Sequence, residues 1–411
     1  MKVALFHPAF EMVGGAEILV ATQASVLRRA NVDACIATFS VDQRRWRERL
    51  EGIPVRLAPR ASWLDRISGP LTRLRRAVPR AEACLAGVDT VLAWNYPANI
   101  LLGACSITAR RIWCCTEPSR DYHLPATNPH LHQRVTSRSG GITAAELEYP
   151  GRLRRYERAI RKPSWAAYIA FDVDNTRKLD AIYAISEFSR DNVRRVYGRD
   201  DAEIICPVVR FPPPLQHRSG LDRRGLQVLT HSRLETTKNV DTVIRGFARL
   251  AAQRPGSQLH VVGEGTQRAN LEKLSHELEI AASVRFHGYL PEKELDAVYG
   301  ACDVFALLTL DEPFGMVFPE AAARGLLMVG PDHGGPFEIM DGGRLGWPCD
   351  PFSPEAFVDV LLEIDGLTDV DVDQRRAKAD HACRDRYGEA VIGARLLRAI
   401  DPRRYSSAVG A

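Results

Sequence analysis

Two carboxylates, Glu312 and Glu320, bracket a turn with seven residues between them. Carboxylates are poor partners for phosphate but good hydrogen-bond acceptors for hydroxyls. The stretch from Pro313 through Phe314, Gly315, Met316 and Val317 breaks the chain, and Pro319 can sit in the first turn of the alanine-rich helix that follows. A glycine turn entering a helix offers unpaired N–H groups and the positive end of a dipole, a setting for a diphosphate. If the segment were wholly helical, the two acids would sit ~12 Å apart. That is about the reach of an extended nucleotide-sugar. On this reading Glu320 holds a ribose diol, Glu312 a sugar hydroxyl, and the turn between them faces the phosphates. A plain helix with an acidic first turn would leave the same pattern.

Arg233 and Lys238 are the cations that could meet such a diphosphate. They lie five residues apart in Ser232-Arg233-Leu234-Glu235-Thr236-Thr237-Lys238, after the apolar strand 227–231 and before the helix 240–252. Around one turn they can converge, Arg through a forked contact and Lys as a point charge. Glycines recur at strand ends: Gly14-Gly15 after strand 2–7, Gly263-Glu264-Gly265 after strand 259–262, and Gly288 with Tyr289 and Leu290 after strand 284–288. Each lets backbone approach a ligand or another strand closely.

The elements that must carry these residues alternate strand, glycine turn, helix through both halves, which is Rossmann-like grammar. Glu312-Pro313-Phe314-Gly315 with Glu320 resembles the E-x7-E signature of retaining GT-B glycosyltransferases of family four (glycosyltransferase group 1, mannosyltransferase-like). Arg233 and Lys238 fit that family's Gly/Ser-Arg-Leu-x4-Lys pattern. The resemblance runs from the first strand to about residue 350 and is densest over 227–339. It implies an α/β GT-B fold: two Rossmann-like domains facing a central cleft. The acceptor-side domain would span 1–210, with a crossover helix at about 385–411 returning to it, and the nucleotide-sugar domain 225–384.

The resemblance also implies roles. Arg233, Lys238 and Glu312 become the catalytic set. Gly14 and Gly15 face donor diphosphate and acceptor, Gly263 turns beside the nucleotide, and Gly288, Tyr289 and Leu290 seat the base. Phe314, Gly315, Met316, Val317 and Glu320 complete the donor site, and Arg120 is an acceptor-side contact with Tyr122. One departure stands out: relatives carry a His-Glu-Pro-Pro-Arg-like run with its histidine near the transferred sugar, and this chain has Thr116 there. No metal is expected. Asp172-Val173-Asp174 matches the metal signature of the other glycosyltransferase fold but reads as part of a helix.

Chain-wide properties fit this reading. A length of 411 residues calls for two domains, divided at the proline-rich run 210–214. The net charge of +4 gives no case for nucleic acid as a partner. Nine cysteines without a C-x-x-C pair read as reduced thiols in a cytoplasmic protein. Between Arg60 and Arg80 six arginines face one acid, with Trp63, Leu64, Ile67, Leu71 and Leu74 at helical spacing. That surface either rests peripherally on an anionic membrane at the inner face or is a solvated outer helix. Residues 124–141, polar and rich in proline and histidine, read as a long surface loop.

The expected activity is therefore a retaining, metal-independent hexosyltransferase without a cofactor. It would move a hexose, mannose from a GDP-sugar ahead of UDP- or TDP-sugars, to a glycan or lipid-linked saccharide in polysaccharide or glycoconjugate synthesis. The competing readings are a nucleotide-sugar epimerase or hydrolase on the same fold, and an inactive nucleotide-binding scaffold.

Overall fold

The computed structural model describes residues 1–12, 14–62, 68–137, 141, 143–212 and 219–405. The expected helical stretch through Trp63, Leu64 and Ile67, and Pro213 and Pro214 of the proline run, lie outside the described residues. The chain divides into two compact units. One comprises Met1–Thr127, Leu153–Val208 and Glu389–Ala411; the other comprises Asn128–Arg152 and Val209–Gly388.

The first unit is built on β1 (Lys2–Phe6), β3 (Asp33–Thr38), β5 (Val55–Leu57), β6 (Thr90–Trp94), β7 (Arg110–Cys115), β8 (Ala181–Ala184) and β9 (Glu203–Ile204). A short pair, β2 (Ala9–Phe10) with β4 (Ser40–Val41), lies beside them. The seven strands are parallel in the order β5-β3-β1-β6-β7-β8-β9. Parallel strands covered by helices on both faces need continuous apolar runs, and Val3 to Phe6 are fully buried. Phe6, Trp113, Ile182 and Tyr197 belong to this core. The helix Glu389–Ile400 belongs here too: Ile392 and Leu396 are buried, and Arg29 Nε donates to Glu389 at 2.9 Å.

The second unit has β10 (Gln227–His231), β11 (Gln258–Val262), β12 (Val284–Gly288), β13 (Val304–Ala306), β14 (Leu327–Pro331) and β15 (Trp347–Cys349). All are parallel, in the order β12-β11-β10-β13-β14-β15. In both sheets the chain first builds outward on one side and then returns to build on the other. The reversal falls between β1 and β6 in one sheet and between β10 and β13 in the other. Crevices at the carboxyl ends of strands flanking such a reversal are where open α/β sheets take ligands.

One reading of the sequence needs correction. Within 124–141 the chain is not a long loop, because Leu124–Thr127 and Pro129–Thr136 are helical. Pro129 occupies a first-turn position where its missing N–H costs nothing, and Leu131 is buried. Asp172-Val173-Asp174 lies inside the helix Pro163–Thr176, as read from the sequence, with Asp172 buried and Asp174 exposed. Asp172 accepts hydrogen bonds from Asn99 at 3.1 Å and Thr176 at 3.2 Å. The thiols are all free, and Cys114 and Cys115 end β7.

Candidate functional site

The carboxyl end of β10 leads through Arg233 into a single 3-10 turn, Thr236–Lys238, that ends at Asn239 in the left-handed region with φ 56°. Asn239 is buried, and its amide donates to the carbonyls of Leu308 at 2.9 Å and Pro351 at 2.6 Å. Leu310 N–H and the Thr309 hydroxyl both donate to the Thr237 carbonyl, at 3.0 and 3.2 Å. These bonds draw the turn after β10 against the segment after β13. As a result the Lys238 ammonium forms an ion pair with Glu312, at a place where the side chains are 21% and 17% exposed. Arg233 stands on the same loop as Lys238 with its side chain exposed.

The turn carrying Glu312 is not helical. The helix starts only at Val317 and runs to Ala323, and Gly315 adopts φ 91°. Glu312 therefore lies on the loop and Glu320 on the helix, as the chain breakers predict, and the distance for a wholly helical segment does not apply. Among the described residues the amides of Gly315, Met316 and Val317 make no backbone hydrogen bond. Phe314 is buried against Tyr387, edge to face at 5.3 Å. Gly334 and Gly335 support the turn from the next strand: Gly335 N–H donates to the Glu312 carbonyl at 2.9 Å. A side chain at 335 would meet the Phe314 Cα at 2.4 Å, so only glycine allows this approach.

Glu320 is half-buried, and loss of water pushes its carboxyl from the ordinary 4.5 up to about 7; Arg324 opposes that rise and Glu292 adds to it. Arg324 is held in turn by Asp296 at 2.8 Å and lies over the Tyr299 ring. The Tyr299 hydroxyl meets His231 Nδ1 at 3.0 Å. Burial, with the charge of Arg324, pulls His231 down to about 4, so this histidine is neutral.

The glycines around β11 shape the loop that carries Arg233. A Cβ on Gly263, whose φ is 120°, would lie 1.9 Å from the Ser232 carbonyl oxygen. Ser232 N–H donates to the Val262 carbonyl at 3.1 Å and Leu234 N–H to that of Glu264 at 2.9 Å, so the Arg233 loop lies directly on this turn. Gly263 N–H donates to the Gly288 carbonyl at 2.8 Å, joining the third loop to the other two. Tyr289 is 80% exposed beside it and Leu290 half-buried.

In the first unit, Gly14 caps the helix Gly15–Arg29, and the Glu17 carboxylate folds back over it, 2.5 Å from where a Gly14 Cβ would be. An anion at this helix start would have to displace Glu17. Arg120 pairs with Glu117 at 2.7 Å. Tyr122 stacks on Tyr168 at 4.1 Å and against Trp165 at 4.5 Å.

Thr116 joins a chain of polar groups across the β1/β6 reversal. Its hydroxyl donates to Asn95 Oδ1 at 2.7 Å, and Asn95 Nδ2 meets His7 Nε2 at 3.2 Å. His7 Nδ1 donates to the Ala9 carbonyl at 2.8 Å, an assignment that follows from these partners. Burial lowers the His7 pKa, against the pull of Glu17, and keeps the ring neutral. The sequence reading missed His7, although a histidine at the carboxyl end of a first buried strand is a visible signal. It also gave no role to Asn239, an asparagine just before a helix that needs a left-handed turn.

Residues 215–371 match the family described as Glycosyl transferases group 1. This part of the chain belongs to that family. Mannosylfructose-phosphate synthase of Agrobacterium fabrum is 32% identical over 250 residues, covering 55% of this chain and 53% of its own length. The GDP-mannose-dependent alpha-(1-6)-phosphatidylinositol monomannoside mannosyltransferase of Mycolicibacterium smegmatis is 30% identical over 247 residues, 55% of this chain and 63% of its own. The chain spans about half the length of the curated relatives it matches. Among solved structures, Anabaena HepE in complex with UDP and glucose aligns with TM-score 0.70 at 18% identity, covering 98% of this chain and 100% of that one. A sucrose-phosphate synthase from Thermosynechococcus elongatus aligns with TM-score 0.70 at 17% identity, over 99% and 100%. Along its whole length the chain thus has the GT-B fold.

Proposed function

We propose that this protein is a retaining hexosyltransferase that binds a nucleotide-sugar on its second unit and an acceptor on its first. The observation that carries the reading is the Lys238–Glu312 ion pair at the β10/β13 reversal, beside exposed Arg233 and the open amides of Gly315, Met316 and Val317. The barrier to transfer lies in departure of the diphosphate, on which charge grows as the sugar becomes oxocarbenium-like. Arg233 and Lys238 supply cations for that charge, and Glu312 releases Lys238 to it while taking a sugar hydroxyl. Glu320, four helix positions beyond Met316, takes the ribose diol. Gly288, Tyr289 and Leu290 border the base.

Mannose is the preferred sugar, supported by the mannosyl activity for which two of the relatives are named, with glucose from a UDP-sugar second. The neutral His7–Asn95–Thr116 chain stands on the acceptor side, where Thr116 replaces the family histidine. A glycan or lipid-linked saccharide is the acceptor class. Free thiols throughout support a cytoplasmic setting. Among the described residues no helix is long and apolar enough to cross a membrane. Exposed Arg73, Arg75 and Arg76 on the helix Pro70–Leu85 support peripheral contact with anionic lipid.

The test is incubation with GDP-mannose or UDP-glucose and a panel of saccharide acceptors, following nucleoside diphosphate release and the anomeric proton of the product by NMR. Acceptor-dependent release with an unchanged anomeric configuration is the expected result. Release that is the same with and without acceptor would mean hydrolysis, and conversion of the donor to another sugar would mean epimerisation.

A further inference from the structure

His130, Asp311 and His333 come from three separate segments of the second unit: the helix Pro129–Thr136, the loop after β13, and the residue that caps the helix Gly334–Ile339. One potential ligand atom from each lies within 4.8 Å of the other two. The His130 and His333 rings are stacked, 3.8 Å between centroids and tilted by 24°. Asp311 and His333 are buried.

His333 shows how the cluster is prepared. Its Nδ1 lies 2.9 Å from Asp332 Oδ1. A carboxylate can only accept, so Nδ1 carries the proton and Nε2 carries a lone pair. Nε2 is buried and has no hydrogen-bond partner. A buried polar atom left without a partner is uncommon and calls for a cause. A carboxylate behind one imidazole nitrogen, with the other nitrogen bare, is the arrangement that orients histidines on metal ions. A cavity of about 260 Å³ opens beside the cluster, lined by Arg134, Asp332, Asp350 and Phe352 among others. Arg134, paired with Glu146 at 3.0 Å and lying over the Phe352 ring, shares this entrance with the two aspartates.

We infer that His130, Asp311 and His333 form a site for one divalent transition-metal ion of the zinc class. Two imidazoles and one carboxylate suit a borderline ion such as Zn²⁺ or Co²⁺, whereas Mg²⁺ and Ca²⁺ prefer oxygen alone. Ligand atoms ~2.1 Å from a tetrahedral ion stand ~3.4 Å apart, so binding draws the three side chains together through rotamer changes. Three protein ligands leave a fourth position open. The ion would brace the turn that carries Glu312 to the turn at Gly334 and to the helix Pro129–Thr136. This brace is separate from the transfer reaction, and its test does not read activity.

The experiment uses the untagged full chain, stripped with chelator and titrated with Zn²⁺ by calorimetry and with Co²⁺ by visible absorption. One equivalent per chain is expected, with intense d–d bands for Co²⁺, a raised Tm, and no effect of Mg²⁺. His333→Ala and His130→Ala should each lose the saturable site while keeping the parent circular dichroism. His130 lies near a helix start and is the safer variant for folding. Absence of saturable binding, an equal response to Mg²⁺, or undiminished binding in both histidine variants would overturn the assignment.

Discussion

If Glu320 grips the ribose as an ionised acceptor, nucleotide binding must weaken as this carboxyl takes up a proton. Loss of water raises its pKa to about 7, so lowering the pH from 8 to 6 takes the ionised fraction from about nine-tenths to about one-tenth. Affinity for UDP or GDP should then fall up to ~10-fold. The terminal phosphate of the ligand also titrates in this range, but equally for every protein variant. Glu320→Gln should therefore bind more weakly at pH 8 and lose this part of the pH slope. The same group makes a stability prediction. Its folded pKa, about 7, lies above the ordinary 4.5, so between those values the folded chain holds more protons than the unfolded one. Its contribution to stability is fully present below about 4.5, declines as pH rises, and is gone above 7. A shift of that size amounts to at most ~3 kcal/mol. Calorimetric titration at several pH values, with denaturant unfolding on the same samples, reads both effects. If parent and Glu320→Gln show identical pH slopes for nucleotide binding, Glu320 does not contact the ribose.

Other substitutions probe the supports. Gly263→Ala places a methyl against the Ser232 carbonyl at a positive φ, so it should cost more than ~1 kcal/mol in denaturant unfolding and weaken nucleotide binding by displacing the Arg233 loop. Asn239→Ala removes two donors to buried carbonyls, with a cost of ~2–4 kcal/mol in the same assay and a disturbed Lys238–Glu312 pairing. His7→Ala should raise the KM for acceptor in steady-state kinetics and leave nucleotide affinity unchanged, because His7 belongs to the other unit.

Much of the architecture was legible because parallel strands buried on both faces announce themselves as apolar runs. The strand 227–231 has in the structure the limits that its apolar run predicts. The alternation of strand and helix then required parallel sheets. Contacts between distant segments were harder to read. Nothing local says that Asn239 reaches Leu308 and Pro351, or that Gly335 must be small because Phe314 crosses it. Composition made 124–141 a loop, yet the burial of Leu131 and a proline at a helix start made part of it helical. The loop before the helix of Glu320 was legible from Pro313 and Gly315, but the distance worked for a wholly helical segment does not apply, because the helix starts only at Val317. His333 and His130 are 203 positions apart in the chain, and only the fold stacks them.

The most direct measurement is calorimetric titration of UDP, GDP and the corresponding nucleosides into the parent, Arg233→Ala and Lys238→Ala proteins at one salt concentration. The parent should bind at least one diphosphate, and each substitution should weaken it ~10- to 100-fold, the value of a charge-assisted hydrogen bond, while nucleoside binding stays the same. Diphosphate affinities that match the parent in both variants, or a parent that binds neither diphosphate, would contradict the placement of the leaving group between these two side chains.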